Sequence, residues 1–261
     1  MDFEWTMSVF ALLGGLLPAL VWLWFWLRED KARPEPSGLI LSVFLAGGFG
    51  VVMAFFLQRL TNNGLHNLGW DNFSLLNPTL TRDFFFSSIG FLALWAAIEE
   101  VMKLLAAYFI AFRHHSFDEP IDAMIYLIVA AIGFSAVENS LFLLNTIMSG
   151  ETNLFFALTG NLRFLGATVV HIVSSSLVGG MIALSFCHPR LTKVMAATIG
   201  LCTATILHTV FNFFIITSSG QEMLQIFALL WLLAIFIIYF FEKVKNIICS
   251  TPTPDINPIN Q

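Results

Sequence analysis

The chain has 261 residues, of which 57% are hydrophobic and 11% charged, and its mean hydropathy is +0.82. Soluble domains carry about 25% charged residues, so a mostly water-facing surface is excluded. The net charge of −5 is dispersed and no basic cluster occurs, which excludes a nucleic-acid partner and points to the lipid bilayer.

A membrane span needs about 20 apolar residues. By that measure the sequence predicts an all-α, polytopic bundle of about seven spans. The first covers roughly residues 7–27 and is too long for the core of a signal peptide. Acidic Asp2 and Glu4 precede it instead of a basic stretch, so it reads as a retained helix. The second span, roughly 39–60, carries Gly47, Gly48 and Gly50, a pattern for close helix packing. The connection from Thr61 to Asp83 holds Asn and Pro turn signals and Trp70, and reads as interfacial. Five further spans follow at roughly 84–112, 121–148, 161–186, 194–217 and 221–241. The tail after Lys245 is rich in proline and polar residues and reads as disordered. The expected division is two N-terminal helices with the interfacial loop (1–83), a four-helix catalytic core (84–217), a last helix (218–245) and the tail (246–261). No internal repeat is visible. Cys187, Cys202 and Cys249 lack CxxC spacing and suggest neither a disulfide framework nor a thiolate metal site.

Lysine and arginine give an orientation. Arg28, Lys31, Arg33, Arg113, Arg190, Lys193, Lys243 and Lys245 fall on one side of a seven-span arrangement. Arg59, Arg82 and Arg163 fall on the other, as interfacial anchors. The bias favours an extracytoplasmic N-terminus and a cytoplasmic C-terminus in a multi-pass protein of the cell membrane.

The informative residues are the polar ones placed where lipid should be. Glu99, Glu100 and Lys103 lie in the third span, Glu138 and Asn139 in the fourth, His171 and Ser175 in the fifth, and His208 and Asn212 in the sixth. Burying such charges costs about 2.5–3.5 kcal/mol each on insertion scales. Lys103 can pair with Glu99 (i, i+4) or Glu100 (i, i+3), which leaves further carboxylates to explain. At about 1.5 Å per residue, His171, Glu138, His208 and Glu99 fall in a band one or two turns thick. Each motif has a structural alternative: an interhelical ion pair, polar glue, or a close-packing face. A common depth on four consecutive helices favours a site within the membrane.

Carboxylates, two imidazoles and an amide are the parts of a hydrolytic site. A glutamate can serve as general base on water, with Lys103 as a charge partner that keeps a carboxylate ionised. A histidine and Asn212 can donate to an oxyanion. Alternatively, Glu138, His171 and His208 offer the O, N and N donors of catalytic zinc, with Glu99 or Glu100 as base. No Ser-His-Asp arrangement is evident.

The patterns Glu99-Glu100-x-x-Lys103, Phe134-x-x-x-Glu138-Asn139, His171-x-x-x-Ser175-x-x-x-Gly179 and His208-x-x-Phe211-Asn212 resemble the PrsW family of intramembrane proteases, related to the type II CAAX prenyl endopeptidases. The resemblance covers roughly Trp95 to Phe214. Wider relatives carry EExxxR, FxxxH and HxxxN/D patterns. Here Lys103 ends the first pattern one position early, Glu138 replaces the histidine of the second, and His171 is additional. The resemblance implies hydrolysis of a peptide bond in a membrane-anchored protein substrate, with anti-sigma factors cleaved by some members. It implies either a glutamic or a metal mechanism. In the glutamic version, favoured slightly here, Glu99 and Glu138 activate water while His208 and Asn212 form the oxyanion hole; zinc stays open. Oligomeric state is not legible.

Two other readings compete. A proton- or ion-coupled transporter would use the same residues as a relay, but the sequence shows no inverted repeat and no broken helix pair. A haem protein with His171 and His208 as axial ligands would leave the carboxylates without a role.

Overall fold

A computed structural model describes residues 2–29, 34–67, 82–149, 163–217 and 221–249. The described residues are helical, without a strand: α1 (Asp2–Glu29), α2 (Ser37–Asn67), α3 (Arg82–Ile110), α4 (Asp122–Met148), α5 (Thr168–Leu184), α6 (Arg190–Thr217) and α7 (Gln221–Val244). Six of these, all but α3, are long and apolar enough to cross a membrane by length and composition. The exception carries Glu99, Glu100 and Lys103 in its interior, the charges that make it informative. The expected polytopic helical bundle is present.

Differences lie at the helix ends. Polar residues continue a helix past the hydrocarbon edge, so α1 reaches Glu29 and α2 reaches Asn67, which makes the first part of the expected interfacial connection helical. The rest of that connection, 68–81, and the tail from 250 onward lie outside the described residues. The expected fifth span opens as a π-helical turn, Arg163–Ala167, before α5 begins. Trp231 on α7 donates its indole N–H to the carbonyl of Leu165 in that turn at 3.1 Å. A π turn breaks the usual i−4 ladder, so a carbonyl there can accept from a side chain.

The centre of the bundle is α4 backed by α5. Every residue from Asp122 to Ala136 is buried, and α5 is buried from Thr168 to Ser176. A helix apolar on all sides belongs in the middle of a bundle. Glycine permits the approach: a Cβ on Gly133 would run into the carbonyl of Phe44 on α2, and one on Gly47 into that of Ala130. Near the N-terminal end of α4, a Cβ at Gly179 of α5 would lie 2.7 Å from the Ala123 carbonyl oxygen. The N-terminal end of α4 is fixed by Asp122, whose Oδ2 accepts the backbone N–H groups of Asp118 (2.9 Å) and Glu119 (2.7 Å). Tyr126 donates its hydroxyl to Glu35 just before α2.

One expectation is corrected. Cys187 and Cys249 form a disulfide, with Cα atoms 5.4 Å apart across a sequence separation of 62. It joins the α5–α6 connection to the segment after α7. Pairing over such a distance is set by helix packing, and local spacing carries no sign of it.

Candidate active site

The acids and imidazoles of α3 to α6 converge on one buried cluster. Glu99 and Glu100 are adjacent on α3 and their side chains are 11% and 1% exposed. Lys103, fully buried, takes the (i, i+3) choice: its Nζ lies 2.5 Å from Glu100 Oε1. The same oxygen accepts the Ser174 hydroxyl at 2.9 Å and pairs with His208 Nδ1 at 2.9 Å. Glu100 thus ties α3 to both α5 and α6.

These contacts decide the tautomers. An ammonium only donates, and Lys103 Nζ lies 3.0 Å from His171 Nδ1, so Nδ1 is the accepting nitrogen. The proton of His171 then sits on Nε2 and goes to Glu138 Oε2, 2.9 Å away. For His208 the case reverses. Its Nδ1–H donates to the Glu100 carboxylate, so Nε2 keeps its lone pair and faces Glu99 Oε2 at 3.7 Å. The imidazoles meet edge-on with centroids 4.9 Å apart. Haem ligation needs them on opposite faces of a flat macrocycle, and no such plane separates them. Phe134, the first residue of the second motif, lies beneath this arrangement, 5.4 Å from Lys103 Nζ.

The remaining named residues are placed as follows. Glu138 is at the open side of the cluster, its side chain 30% exposed. Asn139 turns away from it: its Nδ2 donates to Ser135 (3.1 Å) and Thr168 (2.9 Å), binding α4 to α5. Ser175 is buried and its hydroxyl has no hydrogen-bond partner among the described residues. Asn212 is half-buried one turn beyond His208 on α6. Two participants escaped the sequence reading. Ser174 adjoins Ser175 in a run of three serines, and Gln58 on α2 donates its Nε2–H to Glu99 Oε1 at 3.1 Å. An amide within an apolar helix was the available signal for Gln58.

The cluster has unused capacity. Oε2 of Glu99 and Oε2 of Glu100 are buried without hydrogen-bond partners among the described residues. With neutral imidazoles, three carboxylates against one ammonium leave a formal charge of −2. Uncompensated charge is costly in a low-dielectric interior, so protons or a divalent cation must offset it. Donor atoms of Glu99, His171 and His208 lie within 4.8 Å of one another. An orphaned carboxylate oxygen and an imidazole lone pair beside it fit a metal such as zinc. The third donor of this group is Glu99, where the sequence suggested Glu138.

Carboxylates and imidazoles gathered inside a bundle of membrane-crossing helices make this a polytopic membrane protein with a buried polar site. The chain belongs to the PrsW family of intramembrane metalloproteases, whose sequence model matches residues 35–240, and it is an intramembrane protease. It is similar to the Protease PrsW of Oceanobacillus iheyensis, 24% identical over 229 residues that cover 86% of this chain and 93% of that protein. The Protease PrsW of Bacillus subtilis is 24% identical over 226 residues, 85% and 92% of the two chains. That of Geobacillus kaustophilus is 30% identical over 141 residues, 52% of this chain and about half (53%) of the relative. No solved structure matches the chain.

Proposed function

We propose that the chain hydrolyses a peptide bond of a membrane-anchored protein, of the anti-sigma-factor type, with Glu99 as the base that takes a proton from water. One observation carries the reading: Glu99 Oε2 is buried, without a hydrogen-bond partner among the described residues, and 3.7 Å from His208 Nε2. Water accepted between these two atoms would be oriented by His208 while Glu99 removes its proton. Its oxygen then adds to the scissile carbonyl, and Glu99 returns the proton to the departing amine. Glu100 holds His208 in the tautomer this step needs. In that tautomer Nε2 has no proton to give, so the oxyanion donor falls to Asn212. Glu138 and Lys103 fix His171 from its two nitrogens. A zinc ion held by Glu99, His171 and His208 would supply Lewis-acid activation of the water. In the tautomer assigned above, His171 would take part through the Nδ1 lone pair that Lys103 now occupies, leaving Lys103 to Glu100. The distribution of Lys and Arg supports a cell-membrane placement with the N-terminus outside.

The test is reconstitution into vesicles with a single-span anchored reporter, products being identified by mass spectrometry. Cleavage with an intact pH gradient is the expected result. Collapse of the gradient without cleavage would favour a transporter that uses the same residues.

A further inference from the structure

Gln58 lies near the end of the apolar part of α2, on a helix to which the motifs assign no chemistry. It is 7% exposed, and its amide donates to Glu99 Oε1 at 3.1 Å. The terminal torsion of a glutamate is broad, so an unanchored carboxylate rotates easily. A donor fixed on Oε1 removes that freedom and leaves Oε2 turned toward His208. We infer that Gln58 is a positioning residue: its amide sets the rotation of the Glu99 carboxylate and thereby aims Oε2 at the point where water is activated.

This rests on Glu99 being the base. The bland alternative is interhelical glue, since buried amides often link membrane helices. Two features speak against it. The α2–α3 contact is already close without it, since a Cβ on Gly50 would lie 3.6 Å from Met102 Cβ on α3. The acceptor of Gln58 also stands outside the Lys103–Glu100–Ser174 network built on its neighbour Glu100. Among the described residues no other hydrogen bond holds the Glu99 carboxylate, so fixing its rotation is a positioning task.

The experiment compares wild type, Gln58→Met and Glu99→Gln in the reconstituted full chain. Methionine keeps the length and removes the amide. Gln58→Met is expected to lower kcat about 10- to 100-fold, the effect of a misplaced reacting group. KM should stay within about twofold, because the lost contact serves the transition state rather than substrate binding. The second readout is the infrared carboxylate stretch assigned to Glu99 by its loss in Glu99→Gln; Gln58→Met should shift it. Unchanged kcat in Gln58→Met with an inactive Glu99→Gln would overturn this inference and leave the protease reading standing. An active Glu99→Gln would overturn both. If the wild type cleaves no reporter, the infrared band decides: a shift supports the inference and an unmoved band overturns it. A fall in unfolding temperature with kcat and band unchanged would assign Gln58 to packing alone.

Discussion

Lys103 is a fully buried ammonium, and its partners follow from what it lacks: no water reaches it, so Glu100, His171 and the Phe134 ring receive its charge. Removing one member of a buried ion pair leaves the other uncompensated, at a cost of about 3–5 kcal/mol. Lys103→Met should therefore unfold at much lower temperature, measured in detergent, and Lys103→Met with Glu100→Gln should regain part of the loss. Equal stability of Lys103→Met and wild type would contradict the pairing. Much of this cluster was legible in the sequence because charge inside an apolar helix stands out. The choice of Glu100 over Glu99 was not, since i+3 and i+4 both fit and only the neighbouring Ser174 and His208 favour one. Gln58 was hidden for another reason: a single uncharged amide in a membrane helix is common, and its partner lies 41 residues away.

At the scale of helices, the bundle depends on how closely α4 approaches its neighbours. Gly133→Val should wedge α2 away from α4, costing about 1–3 kcal/mol or more as an overpacked contact. The control is Gly38→Ala, at a position with open space, where alanine should be neutral or slightly stabilising. Unfolding of the two variants in detergent checks both outcomes. The spans themselves were readable from hydropathy, and so was the packing role of the glycines in α2. The ends were not, because helix continues into polar sequence wherever a backbone partner remains. The π turn before α5 was also invisible, and so was the Trp231 indole that meets its Leu165 carbonyl from another helix.

For the whole molecule, two signals about sidedness oppose each other. The orientation proposed from the basic residues would put the α5–α6 connection and the end of α7 in the cytoplasm, whereas a disulfide there persists in an oxidising compartment. Under the proposed orientation, Cys187 and Cys249 are expected to be thiols in the cell and to pair after lysis. Alkylation of intact cells with a permeant reagent before lysis, read by mass spectrometry, should modify both; a bridge already formed would reverse the orientation. In the oxidised protein the bridge closes a long loop and should add about 2–4 kcal/mol, lost on Cys187→Ser.

The central claim is that Glu99 and His208, brought together from α3 and α6, form one hydrolytic site. Its most direct test is the cleavage rate of an anchored reporter by purified, reconstituted Glu99→Gln and His208→Ala, with unfolding temperature measured alongside. The account predicts that each loses about 100-fold or more while remaining folded and inserted. Cleavage at the wild-type rate by either variant would contradict it.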